Sequence, residues 1–269
     1  MKDADIFQDY LTRWQLIPDG EPITTPTSDL LPVRRAGVPA MLKIAVEAEE
    51  KFGGGLMPWW DGIGAAQVLA HEGDALLMER AEGTASLATM AHSGRDDDAC
   101  RIICGVVAQI HRPRSRPAPS VIPLSQWFRE LAPAAAQYGG VLSLCASAAD
   151  ALLAAPQDVV VLHGDIHHGN ILDFGERGWL AIDPKRLGGE RGFDYANLFS
   201  NPDRETAAAP SRLARRLAVV SETAGLEPKR LLQWVLAQSG LSAAWILSDG
   251  GTPELQLEIA SEAAALQKR

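Results

Sequence analysis

The sequence places His163-Gly164-Asp165 directly after the apolar run Val159-Val160-Val161-Leu162, and Asn170 stands five positions beyond Asp165. A turn-forming stretch, Gly175-Glu176-Arg177-Gly178, then leads into Trp179-Leu180-Ala181-Ile182-Asp183-Pro184. Read as strand, polar loop, strand, turn and strand, the pattern is a hairpin that delivers Asp165, Asn170 and Asp183 to one rim. Oxygen ligands of this kind suit magnesium, and a carboxylate near a metal-bound phosphate can accept or orient a hydroxyl proton. Far upstream, Lys43 lies in the apolar strand run Met41-Leu42-Lys43-Ile44-Ala45, where its charge must be paired or hidden.

Other chemistries compete for these residues and lose. His163, His167 and His168 beside Asp165 suggest zinc, but no His-Glu-x-x-His or Cys-x-x-Cys pattern accompanies them. Adjacent His167 and His168 would also point apart on an extended loop. Cys100 and Cys104 sit one helical turn apart in an apolar helix and read as buried thiols. No Walker A loop is present, which removes the commonest alternative phosphate cradle.

The elements that must position this constellation fall into two kinds. Residues 1–80 read as a small sheet-rich unit with one helix: short apolar runs at Leu30-Leu31-Pro32-Val33, residues 40–44 and residues 75–78 alternate with turn signals. Ala36-Gly37-Val38-Pro39 looks like a hairpin connection, and residues 47–52 are helix-compatible until Gly53-Gly54-Gly55 breaks the run. Residues 81–269 read as mainly helical. Helices are expected over residues 100–111 behind Asp96-Asp97-Asp98, over 124–137 and over 142–155. Others should begin near Pro210, Pro228 and Pro253, with Gly225 placed to stop one. The predicted class is α+β: a small lobe, a helical lobe, and the site between them.

The chain has 269 residues, 46% of them hydrophobic and 22% charged, an ordinary globular composition that argues against wholesale disorder. No apolar run approaches a membrane span, the N-terminus lacks a signal-peptide pattern, and three cysteines predict reduced thiols. A cytoplasmic monomer with no nucleic-acid or membrane partner is expected. The formal charge of -9 disfavours nucleic acid and suits a cationic small molecule. Yet residues 1–80 hold seven Lys/Arg against thirteen Asp/Glu, a net of -6, which leaves only -3 for the helical unit.

The order Lys43, Asp165, Asn170, Asp183 resembles that of kinases, and His-Gly-Asp-x-x-x-x-Asn with Ile-Asp-Pro resembles the aminoglycoside phosphotransferase-like small-molecule kinases. Pro39-Ala40-Met41-Leu42-Lys43, Trp59-Trp60-Asp61-Gly62, Leu77-Met78-Glu79-Arg80-Ala81, residues 189–197 and residues 240–245 are similar to the streptomycin 6-kinase and hydroxyurea phosphotransferase family. The resemblance implies a bilobal protein-kinase-like fold and ATP- and Mg2+-dependent phosphorylation of a small hydroxylated antibiotic, with the 6-hydroxyl of streptomycin as first choice. It implies Asp165 as catalytic base, Asn170 and Asp183 as metal ligands, and His163 as a brace. Lys43 would meet the nucleotide phosphates, held by Glu50, with Glu47 and Glu49 next. Ser28 would touch phosphate, and Glu79 to Ala81 would form the adenine-binding hinge. Glu190 and Asp194 would face a cationic acceptor, on which Tyr195 and Trp245 would stack. Lys185-Arg186 after Asp183-Pro184, and Gly169 before Asn170, depart from the family pattern. A metabolic kinase and a catalytically idle kinase-like binding protein are the competing functions.

Overall fold

The computed structural model describes residues 5–47, 51 and 53–268. Its first unit is an antiparallel sheet. After α1 (Asp5–Arg13) come β1 (Leu16–Pro18), β2 (Ile23–Thr24), β3 (Ser28–Arg35), β4 (Val38–Ala45), β5 (Val68–Glu72) and β6 (Ala75–Glu79). They assemble in the order β1-β3-β4-β6-β5, with β2 pairing β3. The β3–β4 hairpin turns at Ala36 (φ 49°) and Gly37 (φ 82°), the positive-φ pair that a two-residue turn requires. Alternation along β4 sends Ala40 and Leu42 into a core with Phe7, Leu31, Val33 and Leu77, and turns Met41, Lys43 and Ala45 to the opposite face.

The second unit is helical, as its periodicity predicts. Between β4 and β5 lies α2 (Met57–Trp60); α3 (Leu87–His92) and α4 (Asp96–Ile110) follow β6. Asp96, Asp97 and Asp98 do open α4, but Asp96 is buried and forms a two-pronged ion pair with Arg216 rather than only serving the helix dipole. The helix expected over residues 124–137 is broken: α5 (Leu124–Trp127), a 3-10 turn, then α6 (Leu131–Tyr138). Pro133 is the reason, because it has no N–H to bond residue 129 and its ring excludes that carbonyl. The α7 helix (Val141–Ala154) leads to β8 (Val159–Leu162), which pairs with β11 (Leu187–Glu190), itself paired to β7 (Ile122–Pro123).

Between β8 and β11, β9 (Ile171–Asp173) and β10 (Trp179–Ala181) form the expected hairpin. The chain ends with α8 (Phe193–Ala196), α9 (Arg204–Ala207), α10 (Arg212–Ala224), α11 (Pro228–Ser248) and α12 (Glu254–Leu266). Pro228 opens α11, and Gly225 caps α10 at φ 60°. Helix α11 is buried along most of its length, packed by α7, α8, α10 and α12. The larger core also takes in Leu56, Met57, Trp60, Leu76 and Met78, so apolar packing runs through the junction of sheet and helices. Ala66 and Ala181 reinforce the junction by main-chain bonds: Ala66 donates to the Ala181 carbonyl, and Ala181 to Gly64. Among the described residues no helix is long and apolar enough to cross a membrane.

Candidate active site

Strand β8 ends at Leu162 and the chain turns through His163, Gly164 and Asp165. Gly164 sits at φ 89°, and a Cβ there would lie 2.8 Å from Leu187 Cδ1 and 3.0 Å from Lys185 Cβ, so the turn demands glycine. His163 is fully buried and stacked on Trp60, with ring centroids 5.9 Å apart. Its Nε2 donates to the Ile182 carbonyl at 2.8 Å and its Nδ1 accepts from the Asp165 N–H at 3.2 Å. Burial pushes its pKa down, and a neutral ring is what this donor–acceptor pair requires. His163 therefore braces β10 against the loop.

Asp165 points into an open cleft, held by two amides. Asn197 Nδ2 donates to Oδ1 at 2.9 Å; Asn170 Nδ2 donates to Oδ2 at 3.2 Å and to the Asp165 carbonyl at 2.9 Å. With each carboxylate oxygen taking one amide donor, each keeps acceptor capacity for an incoming hydroxyl. His167 Nε2 lies 3.9 Å from Oδ1, and its pKa is lowered by burial.

Asp183, at φ 59° just after β10, meets Lys43 from the sheet: Nζ to Oδ1 is 2.6 Å, with Lys43 only 5% exposed. Lys43 thus pairs from the sheet to the end of β10, in a pocket that Met57, His71 and Leu76 also line. Glu50 and Glu49, its expected partners, lie outside the described residues, and Glu47 is exposed. Contacts of Asn170 with Asp165 all run through its Nδ2, which turns the amide oxygen the other way. An amide oxygen and the Asp183 carboxylate match the sparse protein donor set that magnesium takes when phosphate oxygens complete its shell. Among the described residues no trio of His, Cys, Asp or Glu could by itself hold a metal.

Ser28 is 1% exposed, and its Oγ is buried without a hydrogen-bond partner among the described residues. It stands opposite Ala45 in the β3–β4 register, on the sheet face that carries Lys43. Glu79 spends its carboxylate on the Gln67 N–H at 2.6 Å and on Arg177, while half-buried Ala81 follows outside regular secondary structure.

Three of the expected acceptor residues sit elsewhere. Glu190 is 4% exposed and accepts from Arg230 Nε (2.6 Å), Trp234 Nε1 (2.8 Å) and the Gln157 N–H (2.9 Å). Burial raises its pKa, but Arg230 and Trp234 overcome this and the net shift is downward. The carboxylate locks β11 to α11. Asp194 is buried beneath the His163–Asp165 turn, accepting from the His163 and Gly164 N–H groups at 2.9 and 2.7 Å and contacting His111 Nε2 at 2.7 Å. Tyr195 is 1% exposed and meets His111 edge-on, and burial raises its pKa. These residues shape the site from behind.

Trp245 does line the cleft that holds Asp165. The other walls are Trp127, Gly164, Lys185, Asn197, Gln238, Ser242, Ser248 and Asp249, around an open volume of about 800 Å³. Sequence reasoning missed Asn197, Trp127, Gln238 and Asp249. Asn197 had a legible signal, since it lies one helical turn beyond Asp194 on the same face. Gln238 and Asp249 share a helix face with Trp245, but the inward side of α11 is not evident in a helix buried along most of its length. Lys185, one of the departures from the family pattern, lines the cleft with Asp165.

A family model described as aminoglycoside/hydroxyurea antibiotic resistance kinase matches residues 13–250. The chain is 54% identical over 245 residues to a streptomycin 3''-kinase of Klebsiella pneumoniae, covering 89% of this chain and 92% of that one. To a streptomycin 6-kinase of Streptomyces griseus it is 33% identical over 269 residues, covering 92% and 84%. Among solved structures, aminoglycoside phosphotransferase APH(3'')-Id of Streptomyces rimosus, in complex with ADP and streptomycin, matches with a TM-score of 0.58 at 19% identity, covering 90% of this chain and 99% of that one. The bilobal kinase-like fold expected from the sequence is the one observed.

Proposed function

Because this chain belongs to the aminoglycoside/hydroxyurea antibiotic resistance kinase family, we propose that it transfers the γ-phosphate of ATP to a hydroxyl of streptomycin. The observation that carries this reading is the Asp165 carboxylate, fixed between Asn170 and Asn197 at the cleft floor on the loop that leads to the Asp183–Lys43 pair. Asp165 accepts the acceptor's hydroxyl proton as the new O–P bond forms and the bond to ADP breaks. Lys43 exchanges its hold on Asp183 for the nucleotide phosphates, with the Ser28 hydroxyl on the same sheet face as a further phosphate donor. Asn170 and Asp183 would hold magnesium, which supplies charge neutralisation at the transferred phosphate. The chain after Glu79, at Ala81, offers main-chain contacts to adenine.

Phosphorylation adds about -1.5 to -2 charges to a polycationic drug, which removes its fit to its target. The relative that is 54% identical, a streptomycin 3''-kinase, favours the 3''-hydroxyl as acceptor; the 6-kinases at 33% and 31% keep the 6-hydroxyl as the alternative. Turnover by pure protein with ATP and streptomycin, hydroxyurea and a panel of deoxystreptamine aminoglycosides tests the proposal, with the phosphate located on the product by phosphorus–proton correlation. Transfer to streptomycin at one ring position is expected; transfer to hydroxyurea alone would move the assignment to that branch, and no transfer to any of them would end it.

A further inference from the structure

The cleft has a second wall that the phosphoryl chemistry does not use. Gln238, Ser242, Trp245 and Asp249 succeed one another along α11 at steps of four, three and four, a single ridge about 16 Å long at helical rise, and all of them line the cleft with Asp165. Trp127 faces the ridge, its ring edge-to-face with Trp245 at 5.3 Å and 77°.

Separate features of the ridge ask for a ligand, and for the same kind. The C-terminal end of α11 carries the partial negative charge of its last carbonyls, with no basic residue in the last turn, and Asp249 adds a full negative charge at the cap. An acid there is unfavourable for the helix and favourable for a bound cation. The paired indoles supply aromatic surface on which a flat cation can lie. One buried polar atom in this wall also lacks a partner among the described residues: Gln238 Oε1, an acceptor on a residue 7% exposed. Gln238 itself lines the cleft, which places that acceptor in the wall a ligand's donors would meet. A carboxylate, an amide acceptor and an aromatic face together match a planar multi-donor cation better than a compact ammonium. Lys185 lies against the Gly164–Asp165 turn, so the cation belongs along the ridge toward Asp249.

We propose that the α11 ridge with Trp127 is the acceptor's cation subsite, selecting a guanidinium while the acceptor hydroxyl lies at Asp165. The proposal rests on the acceptor reading above, but its test does not depend on turnover. In the full-length, nucleotide-free protein, tryptophan emission is titrated with the diguanidino cyclitol fragment of streptomycin and with the same ring bearing amines. The guanidino form should bind at least about 10-fold more tightly, and Asp249→Asn and Trp245→Leu should each cost about 10-fold of that binding. In steady state the same variants should raise the KM for streptomycin about 10-fold while the KM for ATP stays within about twofold. Gln238→Met removes the unpartnered oxygen, so its melting temperature should hold or rise while acceptor binding weakens, a combination that a packing role would not produce. Equal binding of guanidino and amino forms, or variants with wild-type acceptor affinity, overturns the subsite even where streptomycin is phosphorylated. Guanidino-selective binding lost in Asp249→Asn supports it even where streptomycin is not.

Discussion

Asn197 and Asn170 each give one amide hydrogen to a different oxygen of Asp165, and the two donors define the plane in which the carboxylate lies. In the proposed reaction Asn170 also serves the metal, which leaves Asn197 as the dedicated holder of the base. Asn197→Leu is expected to lower kcat about 100-fold, the scale of a misplaced catalytic group, with little change in the KM for ATP; an unchanged kcat would remove Asn197 from the mechanism. Gly164→Ala should lower both activity and stability, measured by turnover and by urea unfolding, because the positive φ and the contact with Leu187 leave no room for a methyl group. Of the residues that the sequence singled out, Asn170 bonds Asp165, which lines the cleft, while Lys43 pairs with Asp183 in a pocket of their own. Glu190, Asp194 and Tyr195 were legible as polar residues shortly after Asp183 but not as buried ones. Whether an acid meets a ligand or an arginine depends on which helix packs over it, and Arg230 comes from a segment forty residues further along the chain.

Elements are held in register by buried polar locks as much as by apolar packing. Asp96 at the start of α4 and Arg216 on α10 form an ion pair whose side chains are 2% and 0% exposed, and Arg216 also donates to the carbonyls of Leu198 and Asn201. Asp96→Ala strands a buried guanidinium and should cost about 3–5 kcal/mol in denaturant unfolding. The pH response follows. Burial pushes the Asp96 carboxyl upward, but Arg216 and Arg212 more than reverse it, and the net shift is downward. Hydrogen bonding from Thr206 and His92 brings Asp203 to about 2 from its usual 3.8. Carboxyls lowered on folding stabilise above their unfolded values, so stability should hold above about pH 4 and fall between pH 4 and pH 2 as the folded-state groups protonate. A melting temperature that does not fall with acid over that range contradicts these locks. Helix positions were legible from apolar spacing and from Pro228 and Gly225; the break at residues 128–130 follows from Pro133, a residue that periodicity alone passes over.

At the scale of the molecule, a sheet and a helical unit are joined by apolar packing and main-chain bonds, and the 2.6 Å contact of Lys43 with Asp183 adds an ion pair between them. A nucleotide lying between them would bind the folded state alone and stabilise it by about 2.7 kcal/mol at one hundred times its dissociation constant. Lys43→Ala should abolish most of the shift in melting temperature produced by ATP with magnesium; a full shift in that variant would place the phosphates elsewhere. The formal charge of -9 is a poor guide to the acceptor, since most of it lies in residues 1–80. In the proposed acceptor subsite a few placed groups matter more, and Asp249 and Lys185 both line the cleft. The most direct test of the account is a phosphorus spectrum of the purified protein incubated with ATP, magnesium and streptomycin, beside its Asp165→Ala variant. The wild type should convert the γ-phosphate into a streptomycin phosphomonoester, and the variant should do so at least about 100-fold more slowly while still binding nucleotide. Absence of that ester from the wild type, or its formation at equal rates in both, would contradict the account.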